Sequence, residues 1–275
     1  MTFLGEKRLE KTCLDRVMAA IREALFPSKC LLCEAFFEPP GSRGSQGRVS
    51  AETTLAQWLC SDCRVGWEAI TSPLCPRCGL PFISDDEADH LCGDCRTRPG
   101  AFDRARAVGH YAGSLKALIL EFKFHGRVGL AEPLGRLLLD LFQRHWTTEG
   151  VDLILPVPLH GRRMRQRGYN QAYLLVRHWA RWYEVRYGVP LACRIERDLL
   201  RRVRPTSPQA GLGRRERERN LKMAFALAGS LSVKGLRVLL VDDVLTTGAT
   251  VNACARVLRA AGAERVDVLT LARAV

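Results

Sequence analysis

The chain has 275 residues, 47% of them hydrophobic, and a formal net charge of +13. This length allows one substantial α/β domain and a smaller module, and without a run of about 18 apolar residues a membrane-spanning helix is excluded. The N-terminus is charged where a secretory signal needs an apolar core, so we expect a cytoplasmic protein with no membrane insertion. Residues 162–222 hold seventeen Lys and Arg against five Asp and Glu. This local excess favours a polyanionic ligand, although a solvated Arg-rich surface has the same composition.

The first predicted element is an amphipathic helix within residues 1–27, with an apolar stripe formed by Leu14, Val17, Ile21 and Leu25. Cys13 lies on this stripe, and we interpret it as a small buried side chain. Cys193 and Cys254 also have no cysteine nearby and receive the same interpretation.

Residues 28–99 contain four C-x-x-C pairs: Cys30/Cys33, Cys60/Cys63, Cys75/Cys78 and Cys92/Cys95. Two such pairs supply the four sulfur ligands of a closed structural zinc site, so the eight cysteines predict a double zinc ribbon with two zinc ions. We expect the pairs to combine in chain order, although the spacing leaves a cross-braced arrangement open. Disulfides are disfavoured in the cytoplasm, and an iron–sulfur cluster is a weaker alternative because the ferredoxin cysteine run is missing. Zinc would supply the folding free energy that so short a module lacks.

Residues 100–275 change to aliphatic runs that alternate with helical patterns. The pattern predicts helices over 114–124 and 132–146, a buried strand over 151–159, a helix over 168–185, a strand over 236–241, a helix over 250–262 and a strand over 265–274. Buried strands alternating with helices indicate an α/β fold, a parallel sheet with helices on both faces. Ligands bind such sheets beyond the carboxyl ends of the strands.

The segment RVLLVDDVLTTGATV, residues 237–251, places chemistry at such an end. Asp242 and Asp243 follow the predicted strand, where they can accept hydrogen bonds from a vicinal diol. The next turn offers backbone N–H groups, hydroxyls and a helix N-terminus to a phosphate, through Leu245, Thr246, Thr247, Gly248, Ala249 and Thr250. A diol beside a phosphate predicts a ribose 5-phosphate. The glycine patterns of kinases and dinucleotide folds are missing, and a receiver domain needs about a hundred more residues.

The segment VLLVDDVLTTGAT resembles the phosphoribosyl pyrophosphate (PRPP) signature of type I phosphoribosyltransferases. Segments 155–175 and 204–225, the cysteine module and YAGSLKALILEFKFHGR resemble the ComF family associated with bacterial competence. The resemblance implies a type I phosphoribosyltransferase-like fold and PRPP with Mg²⁺ as ligand. It leaves two functions open. One is a phosphoribosyltransferase of unidentified acceptor in DNA uptake or nucleotide metabolism; the other is a non-catalytic factor that handles single-stranded DNA, with PRPP as effector. Competence-machinery proteins are further candidate partners.

The resemblance also implies residue roles. Asp242 and Asp243 would hold the ribose hydroxyls, and the turn 245–250 would hold the 5-phosphate. A pyrophosphate loop would contribute His160, Arg162, Arg163, Arg165 and Arg167. A mobile catalytic loop that closes over the diphosphate would contribute Arg204, Gln209, Arg217 and Asn220.

The remaining candidates are weighed against simpler interpretations. For Lys123, a surface position is favoured over a role in the site. Tyr169, Asn170 and Gln171 are divided equally between a helix cap and a site role. Core packing is favoured over base stacking for Trp179, Trp182 and Tyr183.

Overall fold

A computed structural model describes residues 27–40, 54–83, 88–146, 150–203 and 223–275. The predicted N-terminal helix with Cys13 lies outside the described residues. The same holds for the predicted catalytic-loop residues Arg204, Gln209, Arg217 and Asn220. No described helix is both long and apolar enough to cross a membrane.

The described part of the cysteine-rich module includes the short helices α1 (Ser61–Val65) and α2 (Gly93–Thr97). The strands that follow are β1 (Arg104–His110), β2 (Leu153–Pro156), β3 (Arg194–Ile195), β4 (Leu200–Arg202), β5 (Phe225–Leu227), β6 (Arg237–Leu245) and β7 (Arg265–Arg273). The helices among them are α3 (Gly113–Phe124), α4 (Ala131–Trp146), α5 (Gly161–Arg167), α6 (Gln171–Val176), α7 (Trp179–Tyr187) and α8 (Ala249–Ala260), and a short 3₁₀ turn, Val128–Leu130, precedes α4.

Five strands form a parallel sheet in the order β1-β7-β6-β2-β3, while β4 and β5 pair antiparallel as a separate ribbon. The chain leaves β6 through α8 towards β7, whereas it leaves β2 towards β3 on the opposite side. The connections therefore diverge between β6 and β2, and in open sheets of this kind such a divergence creates a crevice at the carboxyl ends of the strands.

Both faces of the sheet are covered, which confirms the predicted fold class. Along β6, Leu239 and Val241 belong to a buried cluster with residues of α3, α4, α6 and α7. Val238 and Leu240 face the other way and belong to a second cluster with residues of α8. This alternation follows from the two-residue period of a strand, and it assigns each aspartate that follows to a different face.

Several predicted elements differ from the structure. Strand β1 was not predicted, because Arg104 and Arg106 interrupt its apolar pattern; the Arg104 guanidinium lies 4.9 Å from the Trp146 ring centroid and 3.5 Å from the Asp267 carboxylate. The predicted helix 168–185 is divided into α6 and α7 at His178, whose φ of −107° and ψ of 7° depart from helical values. The predicted strand 236–241 extends through Leu245 because β7 continues to pair with it, so both aspartates lie inside the strand.

Candidate zinc centres and ligand crevice

The eight paired cysteines form two groups that combine the pairs in chain order. Cys30, Cys33, Cys60 and Cys63 form one group and Cys75, Cys78, Cys92 and Cys95 the other, with the sulfur atoms of each group within 4.8 Å of one another. This confirms sequential pairing and excludes the cross-braced arrangement. Four converging thiols can fill all four positions of the tetrahedral sulfur shell that Zn²⁺ prefers, so each group fits a structural zinc ion.

Backbone N–H groups prepare some of these thiols for metal binding. Burial alone would raise the pKa of Cys75, but the N–H groups of Cys78 and Cys92 each donate to its Sγ at 3.5 Å and bring the pKa to about 7. Backbone donors likewise overcome burial at Cys30 and lower its pKa to about 6. A metal ligand must be a thiolate, so these bonds favour the ligating form.

The cysteine module packs against both faces of the sheet. The first group shares a buried cluster with Leu55, Leu59 and α4, and the second shares the opposite cluster with α8. Between them, the module covers the edge strand β1, where the Ala105 N–H donates to the Arg77 carbonyl at 2.6 Å and Ala69 bridges to Gly109. The module thus protects a strand edge that would otherwise be open to pairing.

A buried polar contact also joins the module to α4. The Thr54 hydroxyl donates to Asp140 Oδ2 at 2.6 Å, and Arg186 of α7 lies 3.0 Å from Asp140 Oδ1. Burial raises the pKa of Asp140, while the bond from Thr54 and the charge of Arg186 oppose that rise.

The crevice between β2 and β6 holds the acidic pair. Asp243 is 4% exposed and lies on the α3 side of the sheet, where Lys123 Nζ is 2.7 Å from its Oδ1 and Gln171 Nε2 donates to its Oδ2 at 2.9 Å. Asp242 lies on the α8 side and accepts the Asp243 N–H at 2.9 Å. Burial and the Asp243 carboxylate raise the pKa of Asp242 to about 7, against the opposing charges of Lys123 and Arg202.

The predicted phosphate turn follows directly. β6 ends at Leu245, Gly248 adopts the left-handed conformation with φ 73°, and α8 begins at Ala249. Arg273 donates to the carbonyls of Leu245 and Thr246, and the Ala249 N–H donates to Thr247 Oγ1 at 3.4 Å. The turn is therefore held between β7 and the first turn of a twelve-residue helix, which favours anion binding.

The predicted pyrophosphate loop is the short helix α5. His160 caps it by accepting the Arg162 N–H on Nδ1 at 3.2 Å, and Gly168 ends it in the left-handed conformation. Arg162 and Arg165 are exposed, whereas Arg163 and Arg167 are partly buried. Burial lowers the pKa of Arg167, its guanidinium lies 5.0 Å from the Phe124 ring centroid, and one terminal nitrogen is buried without a hydrogen-bond partner among the described residues.

The structure separates the remaining candidates. Interpreting Lys123 as a surface side chain was wrong, because it is 16% exposed and ion-paired with Asp243. Asn170 is a cap, with its Oδ1 accepting the Ala172 N–H at 3.0 Å, while Gln171 donates to Asp243. Trp179 and Trp182 are core residues as expected, and the Trp179 indole donates to the Gly135 carbonyl at 3.2 Å. Cys193 and Cys254 are also buried.

Arg202 of β4 lies close enough to Asp242 for its charge to oppose the rise of the Asp242 pKa, a proximity that the sequence did not indicate. Burial lowers its pKa, Asp242 opposes that shift, and its guanidinium lies 5.5 Å from the Phe225 ring centroid. One arginine among seventeen basic residues of a segment gives no signal by itself, and its proximity to Asp242 follows from the fold, in which β4 pairs with β5.

Together, the parallel sheet, the acidic crevice and the two cysteine groups define a phosphoribosyltransferase-type domain with a double zinc ribbon. Family models give the same result: a phosphoribosyl transferase domain matches residues 188–274 and a double zinc ribbon domain matches residues 21–96.

The chain belongs to the ComF family of competence proteins. It is 39% identical to the DNA utilization protein YhgH of Escherichia coli over 80% of this chain and 92% of that protein. It is 37% identical to competence protein F of Haemophilus influenzae over 78% and 90%, and 27% identical to competence protein ComFC of Bacillus subtilis over 89% and 94%.

Proposed function

We propose that this protein binds PRPP with Mg²⁺ in the crevice between β2 and β6 and that it acts in the uptake or utilization of DNA by the cell. The observation that carries the proposal is the acidic pair in β6, where the connections of β6 and β2 diverge. The threonine-containing turn that follows β6 leads directly into the N-terminus of α8. A carboxylate accepts hydrogen bonds from ribose hydroxyls, and the turn donates to a 5-phosphate. The names of the relatives, a DNA utilization protein and competence proteins, support the cellular role. We propose the cytoplasm as its compartment, where thiols stay reduced for zinc.

Each part of the crevice has a proposed task in binding. Asp242 and Asp243 orient the ribose, and Thr246, Thr247 and the α8 N-terminus hold the 5-phosphate. Arg163 and Arg167 supply positive charge to the diphosphate, whose bound Mg²⁺ offsets the remaining negative charge. An Asp242 pKa of about 7 also suits proton transfer near neutral pH. The acceptor of a transferred ribose group stays unidentified.

The decisive experiment is a calorimetric titration of the zinc-loaded protein with PRPP and Mg²⁺. Asp242→Asn with Asp243→Asn should abolish binding while the circular dichroism spectrum stays native. Asp198→Asn is the matched control, since Asp198 is an exposed acid outside the crevice and its loss should leave affinity unchanged. Equal affinity of the double variant and the wild type would remove the site assignment.

A pyrophosphate-release assay then decides between turnover and effector binding. Release that depends on an added base or on single-stranded DNA makes the protein a phosphoribosyltransferase and identifies its acceptor class. Binding of PRPP without release favours the non-catalytic function, in which PRPP is an effector.

A second function is favoured by the exposed arginines of α5 at the mouth of the crevice. Arg162 and Arg165 are free to contact phosphates of single-stranded DNA. Replacing both by Ala should weaken binding to oligothymidine and reduce the slope of log affinity against log salt by about 0.7 per lost contact. Arg181→Ala on α7 is the control. An affinity for single-stranded DNA that does not change between low and moderate salt would refute binding through phosphates.

A further inference from the structure

The C-terminal end of α3 joins the two segments that line the crevice. Three consecutive residues each make a separate contact: the Phe122 carbonyl accepts from the Tyr169 hydroxyl, Lys123 pairs with Asp243, and the Phe124 ring lies under Arg167. Tyr169 and Arg167 come from the chain after β2, whereas Asp243 comes from β6. Helix α3 belongs to neither segment, so it adds a third component to the crevice.

Lys123 and Gln171 together occupy both oxygens of Asp243. The Lys123 Nζ lies 2.7 Å from Oδ1 and the Gln171 amide donates to Oδ2 at 2.9 Å. The Lys123 side chain is 16% exposed and that of Asp243 is 6% exposed, so little water competes with the pair. Charge-assisted bonds of this kind fix both the charge and the orientation of a carboxylate.

The ligand proposed for this crevice creates an electrostatic conflict. Two adjacent carboxylates repel the phosphates of PRPP, and the repulsion is strong where water is scarce. A cation behind one carboxylate reduces that repulsion without occupying the space of the ligand. Lys123 meets this requirement because it belongs to α3 and contacts Asp243 from the face of the sheet that α3 covers.

We infer that Lys123 is a positioning residue of the PRPP site, which holds the Asp243 carboxylate in place and balances its charge so that a ribose bearing phosphates can bind. The inference rests on the proposed function and deepens it, since it assigns a task to a helix outside the PRPP signature.

The test compares PRPP affinity by calorimetry in wild type, Lys123→Met, Lys123→Arg and Lys116→Met, at pH 6, 7 and 8 with Mg²⁺. Lys116 is an exposed lysine of the same helix and serves as the control. We expect Lys123→Met to weaken PRPP binding at least about tenfold, because residues that share one hydrogen-bond or ion-pair network are energetically coupled. Lys123→Arg should keep most of the affinity, and Lys116→Met should keep all of it.

The pH profile separates positioning from general damage to the fold. Asp242 is faced by Asp243 on its own strand, Lys123 of α3, Arg202 of β4, Arg167 of α5 and Cys254 of α8. The charge of Lys123 lowers the pKa of Asp242, so its removal should move the loss of binding on acidification to higher pH. Titration of PRPP itself affects all variants equally. A parallel, unshifted profile in Lys123→Met would contradict the inference.

The outcomes distinguish this inference from the proposed function. If the wild type does not bind PRPP, the proposed function fails. If the wild type binds and Lys123→Met has the same affinity and pH profile, only the inference fails. If Lys123→Met does not fold, Asp243→Asn is compared with the double variant Lys123→Met/Asp243→Asn. Equal PRPP affinities support action through Asp243, and further weakening in the double variant overturns it.

Discussion

The zinc centres and the ligand crevice are built from the sequence in opposite ways. Each zinc centre takes its ligands from two C-x-x-C turns, within Cys30–Cys63 and within Cys75–Cys95. The crevice takes its charged groups from α3, α5, β4 and β6, segments spread over more than a hundred residues. A metal site can be specified by local spacing because the ion itself draws the ligands together. A crevice of this kind exists only after the sheet has formed.

The largest expected effect follows from removing one metal centre. Cys75→Ser with Cys78→Ser should reduce zinc from two ions per chain to one and destabilise the protein by more than about 5 kcal/mol, because structural zinc supplies about 10–16 kcal/mol. The second cysteine group shares a buried cluster with Leu240 and Val268 of the sheet, so the loss reaches beyond the module. Plasma-emission analysis and thermal unfolding measure both quantities.

The matched control for the metal centre is Cys193→Ala. Cys193 is a buried thiol outside both groups, and burial raises its pKa to about 12. This variant should keep two zinc ions and lose only about 1–2 kcal/mol for the small cavity. Two zinc ions in the double serine variant would contradict the assignment of the second centre.

The same contrast explains what could be predicted from the sequence. The two zinc centres and the strand-turn-helix of residues 237–260 were predictable, since each depends on local motifs, whereas the choice of sequential over cross-braced pairing was an expectation that the spacing left open. Lys123 was misread because a lysine in the last turn of a helix is ordinarily solvated, and only the packing of α3 on the sheet buries it. β1 was not predicted because its alternating arginines interrupt the apolar pattern. The zinc module covers the outer edge of this strand, which the sequence pattern does not indicate.

The next prediction tests the contact between the two regions. Gly79 has a φ of 65°, and a Cβ atom there would lie 2.7 Å from the Ala105 carbonyl oxygen of β1. Gly79→Ala should therefore cost about 2–4 kcal/mol, from left-handed strain and from displacement of the ribbon. Gly93→Ala in the same ribbon is the control, because nothing lies within 4 Å of its added methyl group. Equal urea midpoints of the two variants would show that the ribbon does not pack tightly on β1.

A smaller effect is expected at the polar contact between the module and α4. Thr54→Val removes the bond to the buried Asp140 carboxylate and should cost about 2 kcal/mol at pH 7. Because the bond favours the ionised form, the cost should shrink as acid protonates Asp140, whose pKa burial already raises. Urea unfolding at pH 7 and pH 5 measures the difference. Thr97→Val, which removes an exposed hydroxyl, should be close to neutral. A pH-independent cost for Thr54→Val would mean that packing, and not the bond, is lost.

The smallest effect separates binding from stability inside the crevice. Because the pKa of Asp242 is about 7, its ionised fraction falls about tenfold from pH 8 to pH 6, and PRPP affinity should fall by a similar factor. Stability should move the other way: the folded pKa lies above the unfolded value of about 3.9, so protonation stabilises the fold, and that contribution is lost as pH rises towards 7. Calorimetry and urea unfolding across pH 5–8 test both slopes, and Asp242→Asn should flatten each of them. Equal wild-type affinity at pH 6 and pH 8 would show that the ionised Asp242 carboxylate does not hold the ribose, which would leave Asp243 and its lysine as the binding pair.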